Sequence, residues 1–269
     1  MAKRRLDTLL VERGLAESRE KARAAVLAGK VLVGDTKVAK PGMLVPEAAE
    51  VRLLAKAPYV SRGGEKLVHA LRVFGIDVQD LVAVDVGAAS GGFTDCLLQH
   101  GARCVYAVDV GYGQLDYRLR QDPRVVPMER VNVRYLHSLP QKVDVATVDV
   151  SFIGLEKVLP VVARLLKPRG RIIALFKPQF QARRREVGKG GVVRDPLLQA
   201  SVIGRFVAWA VGQRFRILGL TPSPLLGPAG NQEFFFLLLP LGVGRKGGAS
   251  REEGGHLFPP SVARCPGIR

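Results

Sequence analysis

Residues 84 to 95 read Val-Asp-Val-Gly-Ala-Ala-Ser-Gly-Gly-Phe-Thr-Asp, an apolar strand that runs into a tight loop of small residues and then into a helix. Glycine and alanine let a ligand approach the backbone at such a turn, which is the nucleotide-binding corner of a doubly wound sheet. The glycines are spaced Gly-x-x-x-Gly-Gly, whereas dinucleotide sites require Gly-x-Gly-x-x-Gly. The loop therefore predicts a nucleotide-type ligand that needs no seat for a pyrophosphate.

An acid that follows the next strand supports a ligand site at this loop. Asp109 comes directly after the predicted strand Cys104 to Val108, where a carboxylate can accept hydrogen bonds from a ribose diol. An ordinary strand-to-helix turn would show the same glycines, and Asp109 is the residue that favours a ligand. The departure from the dinucleotide spacing favours S-adenosylmethionine. The predicted cofactor-binding residues are Asp85, Gly87, Ala88, Ser90, Gly91, Gly92, Phe93, Thr94 and Asp109.

Strands and helices alternate around this loop, which predicts an α/β fold with a mostly parallel sheet covered on both faces. Strands are predicted at 81–86, 104–108, 125–128, 143–149, 171–176, 215–220 and 233–239, and helices at 65–74, 92–100, 155–166 and 196–211. The last two strands are close in sequence and should pair antiparallel. We therefore expect a Rossmann-like sheet of six parallel strands and one antiparallel strand over residues 65–241.

The first 58 residues form a different pattern. Residues 4 to 28 show helical periodicity in two pieces, with Ser18 as the N-cap of the second, and short strands follow at 30–33, 37–39 and 50–54. This predicts a small α+β RNA-binding domain over residues 1–58, joined through a Gly-rich linker at 59–64. After Pro240 the sequence is rich in Gly, Arg, Ser and Pro, so residues 242–269 are predicted to be a disordered basic tail.

The charge of the chain restricts its partners. Its 269 residues include Lys+Arg 41 against Asp+Glu 24, a formal net charge of +17, which favours nucleic acid or an anionic membrane surface. The longest apolar stretch, Phe234 to Leu241, is far shorter than the ~20 residues of a membrane-spanning helix. No stable membrane insertion is expected, and charges near the N-terminus interrupt any signal peptide, so we expect a cytoplasmic protein. The three cysteines have no zinc-site spacing, and no metal site is predicted.

Four charged residues lie near the ends of predicted strands or just before the sheet begins. Asp149 and Lys177 end apolar strands, Glu233 begins the last one, and Lys66 precedes the first. Each alone could simply face solvent. However, open α/β sheets bind ligands at the carboxyl ends of their strands, and a lysine after an apolar strand is costly to bury without a partner. The four residues therefore form a candidate Lys-Asp-Lys-Glu set.

This set resembles the catalytic tetrad of the FtsJ-like ribose 2′-O-methyltransferases. The motifs at 61–67 (Ser-Arg-Gly-Gly-Glu-Lys-Leu), 85–95, 148–153 (Val-Asp-Val-Ser-Phe-Ile) and 176–180 (Phe-Lys-Pro-Gln-Phe) resemble more closely the TlyA family, which joins such a domain to an RNA-binding module of a ribosomal-protein type. The resemblance covers residues 3 to about 240. It implies methylation of cytidine 2′-hydroxyls in ribosomal RNA by S-adenosylmethionine, with Lys66, Asp149, Lys177 and Glu233 as catalytic residues and Lys177 as the base.

The resemblance also implies that the N-terminal module contacts ribosomal RNA or ribosomal subunits. The residues predicted to bind RNA are Arg4, Arg5, Arg13, Arg19, Lys21, Arg23 and Arg62. A charged helix face is often only solvated, and the family resemblance is what favours RNA. Two alternatives remain: a membrane-active haemolysin, as some relatives have been labelled, and an RNA-binding protein without catalysis. Nothing in the sequence fixes the oligomeric state, and the fold could function as a monomer.

Overall fold

The computed structural model describes residues 2–54 and 57–242, which divide into two compact units, one up to Ala57 and one from Pro58 onward. The first unit contains β1 (Lys3–Arg5), α1 (Leu6–Glu12), α2 (Arg19–Leu27), β2 (Val31–Val33), β3 (Thr36–Val38), β4 (Leu44–Pro46) and β5 (Val51–Leu53). The second contains α3 (Arg62–Phe74), β6 (Val82–Val86), α4 (Gly92–Gln99), β7 (Cys104–Val108), α5 (Tyr117–Gln121), β8 (Val125–Met128), β9 (Val143–Val148), α6 (Leu159–Leu165), β10 (Leu166–Phe176), α7 (Pro178–Gln181), α8 (Pro196–Gly212), β11 (Phe215–Pro222) and β12 (Phe234–Pro240).

The first unit packs two helices and short strands around a small apolar core. Leu6, Leu10, Val26 and Val31 are fully buried in it. The hydroxyl of Ser18 accepts a hydrogen bond from the backbone N–H of Lys21, as predicted for the N-cap of α2. Strand β2 pairs antiparallel with both β3 and β5.

The sequence reading missed the pair formed by β1 and β4. These strands have three residues each and pair antiparallel, with Arg4 opposite Val45. Arg4 and Arg5 therefore lie on a strand, and the prediction that the first helix carries them was wrong. The helix begins one residue later, at Leu6. Strands this short are below the 4–8 residues over which alternation can be recognised.

The second unit has a seven-stranded sheet in the order β11-β12-β10-β9-β6-β7-β8. The pairs from β10 to β8 are parallel, while β12 runs antiparallel to both of its neighbours. Six strands therefore share one direction and one is reversed, which confirms the predicted fold class. The carboxyl ends of β6, β7, β9 and β10 meet along one edge of the sheet.

Apolar side chains cover both faces of this sheet. Along β10, Ile172, Ala174 and Phe176 join the core on one face, whereas Ile173 and Leu175 join the core on the other. Helices α6 and α8 pack on the first face, and α3 and α4 pack on the second. Burial of both faces explains why the strands are apolar without alternation.

Two predicted boundaries need correction. Helix α3 begins at Arg62, so the predicted linker at 59–64 overlaps its first turn; Ser61 caps the helix by accepting a hydrogen bond from the N–H of Gly63. The predicted helix 155–166 is a 3-10 turn at Leu155–Lys157 followed by α6, and its last residue, Leu166, already belongs to β10. Pro160 lies in the first turn of α6, where its missing N–H costs no helical bond.

The predicted basic tail at 242–269 lies outside the described residues from 243 onward. Within residues 2–54 and 57–242, no helix has the length and hydropathy needed to cross a bilayer.

Candidate active site

The loop between β6 and α4 can only be made by small residues at two positions. Gly87 has φ 84°, and a Cβ on it would lie 2.3 Å from the backbone oxygen of Asp149. Gly91 has φ 93°, and a Cβ there would lie 2.2 Å from Leu119 Cδ1. The Gly-x-x-x-Gly spacing thus reflects close approach of β9 and of α5 to this loop, in addition to the conformations that glycine favours.

Replacing Gly87 by alanine should lower the free energy of unfolding by about 4 kcal/mol, because a strained φ costs about 1–2 kcal/mol and overpacking about 1–3 more. Gly113 provides the matched control, since its φ is also positive, at 72°, but no atom lies within 4 Å of a Cβ placed there. Gly113→Ala should cost only the conformational part. Urea titration of both variants measures the difference, and equal losses would show that the approach of Asp149 does not constrain the loop.

Asp109 ties the loop to the turn that follows β7. Its Oδ2 accepts a hydrogen bond from the N–H of Ala89 at 2.9 Å, and its Oδ1 accepts one from the N–H of Gly111 at 2.7 Å. Ala89 has φ 47°, a left-handed conformation that non-glycine residues rarely adopt and that clusters at functional sites. The loop is therefore held in its strained form by a carboxylate that also faces the cavity described next.

A cavity of about 1190 Å³ runs along the carboxyl edge of the sheet. Gly87 after β6, Asp109 after β7 and Asp149 after β9 line it, and so does Gln179 beyond the end of β10. Ligand cavities usually measure about 300–1,000 Å³. This one is large enough for a nucleoside-sized cofactor together with a second nucleoside.

The predicted cofactor residues separate into two groups. Gly87, Ala88, Ser90, Gly92 and Phe93 line a smaller pocket of about 210 Å³ beside the loop, and Gly87 also lines the large cavity. Asp85, Gly91 and Thr94 line neither space.

Asp85 and Thr94 lie in the core beneath the loop. Asp85 is fully buried and accepts hydrogen bonds from the hydroxyls of Thr94 at 2.7 Å and Thr147 at 2.9 Å. Burial raises the pKa of Asp85 to about 6, while the two threonine hydroxyls act in the opposite direction. The side chains of Asp85 and Thr94 thus support the loop from below, where a ligand in the cavity does not reach them.

The four residues of the Lys-Asp-Lys-Glu set form two ion pairs. Lys66 Nζ lies 2.6 Å from Glu233 Oε2, with side-chain exposures of 9% and 1%. Lys177 Nζ lies 2.6 Å from Asp149 Oδ1, and it also donates a hydrogen bond to Ser151 Oγ at 3.0 Å. Because both pairs are largely withdrawn from water, each lysine depends on its carboxylate partner.

The smaller pocket joins the two ion pairs. Lys66 and Asp149 both line it, together with Arg62 in the first turn of α3, while Asp149 and Gly87 also line the large cavity. Since Lys177 contacts Asp149 and Glu233 contacts Lys66, the structure brings the whole set to the place where the two spaces meet. The candidate site therefore offers an acid-base lysine beside a cavity of cofactor size.

Most of the basic residues predicted to bind RNA make contacts within the first unit. Asp7 is fully buried, and the Arg5 guanidinium at 2.9 Å, together with Arg19 at 3.3 Å, holds the pKa of this carboxyl well below its usual range. Arg13 donates to the backbone oxygens of Ala49 and Glu47. These guanidiniums stabilise the unit and have part of their hydrogen-bonding capacity left for a phosphate.

The remaining basic residues are more exposed. Arg4 lies 2.6 Å from Glu47 at the surface, and Lys21 forms an ion pair with Glu17 one helical turn away. Arg23 is exposed on α2 and has no hydrogen bond or ion pair to any residue that the structure describes.

Several cavity residues escaped the sequence reading. Ser151, Gln179 and Phe180 lie inside motifs that it quoted, but they were passed over in favour of the charged positions. Arg134, Lys157 and Arg184 add positive charge to the cavity lining. The available signal was position, since Ser151 and Gln179 each follow the end of a strand by a few residues.

Comparison with known proteins gives consistent results for the two units. Residues 59–239 match the family model described as FtsJ-like methyltransferase, and residues 4–51 match the S4 domain. Putative rRNA methyltransferase YqxC of Bacillus subtilis is 47% identical over 260 residues, which cover 93% of this chain and 91% of that protein. The 16S/23S rRNA (cytidine-2′-O)-methyltransferase TlyA of Mycobacterium tuberculosis is 42% identical over 243 residues, 88% of this chain and 91% of that one.

Among solved structures, a putative hemolysin from Streptococcus thermophilus is 43% identical and superposes with a TM-score of 0.69, covering 89% of each chain. The printed names of these relatives therefore include both the methyltransferase and the haemolysin that the sequence left open.

Proposed function

Because the chain belongs to the FtsJ-like methyltransferase family, we propose that it transfers a methyl group from S-adenosylmethionine to the ribose 2′-hydroxyl of a cytidine in ribosomal RNA. The observation that supports this most strongly is the meeting of the Lys66–Glu233 and Lys177–Asp149 pairs at the junction of the two pockets. An rRNA substrate makes this a cytoplasmic enzyme.

The residues along the large cavity fit S-adenosylmethionine. Asp109 offers a carboxylate to a ribose diol, and the Gly87 loop exposes its backbone beside the point where the two spaces meet. When bound, this cofactor supplies a methyl group on a cationic sulfur, which a ribose oxygen can attack in line.

Lys177 is the residue that we propose as the base. In its neutral form, its Nζ accepts the proton of the attacking 2′-hydroxyl, and Asp149, 2.6 Å away, stabilises the ammonium that forms. Ser151 accepts a hydrogen bond from the same nitrogen and fixes its direction. Glu233 orients Lys66 toward the small pocket, where its positive charge repels the cationic form of Lys177 and favours the neutral base.

The proposal is tested by incubating the protein with tritiated S-adenosylmethionine and with small and large ribosomal subunits from a bacterial strain that lacks its own relative. We expect label in rRNA at a nucleotide whose 3′ bond resists alkaline hydrolysis, because a 2′-O-methyl group removes the attacking hydroxyl. Label in alkali-sensitive nucleotides, or no label with RNA still bound, would contradict it. Dye release from anionic vesicles would instead support the haemolysin alternative.

We also propose that the first unit binds the RNA backbone. Replacing Arg23 by alanine should weaken RNA binding several-fold and reduce the salt dependence of the affinity by about one counterion, because this exposed guanidinium has no partner among the described residues. Binding titrations over a range of potassium chloride concentrations measure this slope. Glu20→Ala on the same helix is the control, and should not reduce the slope. An unchanged slope in Arg23→Ala would remove α2 from the RNA interface.

A further inference from the structure

Gln179 has an unusual carbonyl in the cavity lining. Its Oε1 is buried and accepts no hydrogen bond from any residue that the structure describes, although Gln179 lines the large cavity. A buried amide oxygen without a donor loses the bond that it would make with water. A donor supplied by a ligand would remove this penalty, so the oxygen is an unused acceptor at a ligand site.

The position of Gln179 assigns it to one end of the cavity. Along the carboxyl edge of the sheet, β9 and β6 lie between β10 and β7. Asp109 follows β7 and suits the ribose of the cofactor, whereas Gln179 comes two residues after Lys177, beyond the end of β10. The end of the cavity at Gln179 is therefore next to the base and away from the cofactor ribose, where the acceptor nucleoside must lie.

We propose that Gln179 Oε1 accepts a hydrogen bond from the exocyclic N4 amine of the target cytosine and thereby selects cytidine over uridine. This inference rests on the proposed function. Cytosine presents an N–H donor at this position, while uracil presents a carbonyl oxygen, which would face Oε1 as a second acceptor. A site built around such a bond discriminates strongly because the wrong base leaves the buried group unpaired.

The test compares ribosomal subunits that carry cytidine or uridine at the mapped acceptor position. Gln179→Met removes the acceptor at similar volume, and kcat/KM for cytidine should fall about tenfold while that for uridine stays within about twofold. Gln179→Glu keeps acceptor oxygens at both terminal positions and should retain the preference for cytidine. Gln181→Met is the matched control, because Gln181 Oε1 already accepts a hydrogen bond from the N–H of Leu155 at 3.2 Å.

The ratio of the two kcat/KM values decides the matter. If Gln179→Met lowers both values equally, or leaves both unchanged, the inference is wrong while the proposed function stands. If Gln181→Met changes the ratio as much as Gln179→Met does, the effect comes from the shape of this loop and the inference is also wrong. If the unaltered protein transfers no label to either subunit, the proposed function itself has failed.

Discussion

Replacement of Lys177 by methionine is expected to lower the rate of methyl transfer to RNA by about 1,000-fold, because a positioned base contributes about 10²–10⁴ to such a reaction. Cofactor affinity should change little, since Lys177 does not line the large cavity with its side chain and lies beyond β10, away from Asp109. Single-turnover transfer of tritiated methyl, together with equilibrium binding of S-adenosylhomocysteine, separates the two quantities.

Two further variants make this test specific for the base. Lys177→Arg keeps a positive charge beside Asp149, but a guanidinium is not deprotonated in proteins, so it should be as inactive as Lys177→Met. Lys142→Met removes an exposed lysine of the same unit and should leave the rate unchanged. Activity in Lys177→Arg near that of the unaltered protein would mean that this position supplies charge only, and turnover in Lys177→Met would place the base elsewhere.

The sequence was sufficient to predict the sheet because its signals are local and strong. The strands of the second unit are buried on both faces, so each is a continuous apolar run that ends at a charged or small residue. Asp109 and Lys177 could be recognised for this reason, since each comes directly after such a run. The direction of β12 followed from its short separation from β11.

The glycines at 63 and 64 show where this reasoning failed. They were read as part of a flexible linker, yet they lie in the first turn of α3. A Cβ on Gly64 would lie 2.2 Å from the ring of Tyr59, so the residue is small because an aromatic side chain packs on it. Close approach and flexibility both select glycine, and only the position of Tyr59 separates them.

The partners of charged side chains could not be predicted either. The sequence indicated that Arg5 and Arg19 form a basic surface, but it gave no sign that both turn toward the buried carboxylate of Asp7. Likewise, the pairing of Lys66 with Glu233 joins residues separated by 167 positions. Such contacts depend on how the chain returns through the fold, which periodicity and spacing do not describe.

The Lys66–Glu233 pair should make the second-largest effect separable into stability and catalysis. In Lys66→Met, Glu233 would be left as a charge with 1% exposure and no partner, which should lower the free energy of unfolding by about 3–5 kcal/mol. The double variant Lys66→Met/Glu233→Leu removes both charges, and most of this loss should be recovered, because apolar residues of similar volume often replace a buried ion pair without cost.

Methyl transfer should not return with stability in that double variant. If Lys66 serves the reaction through its charge in the small pocket, the refolded double variant binds cofactor but transfers methyl slowly. Lys167→Met is the control within the same unit, because its pair with Asp144 is 41% exposed on the lysine side, and its loss should cost no more than about 1 kcal/mol. Urea unfolding and single-turnover transfer, measured on the same preparations, give both quantities. A double variant with full activity would show that the pair holds the fold together and takes no part in the reaction.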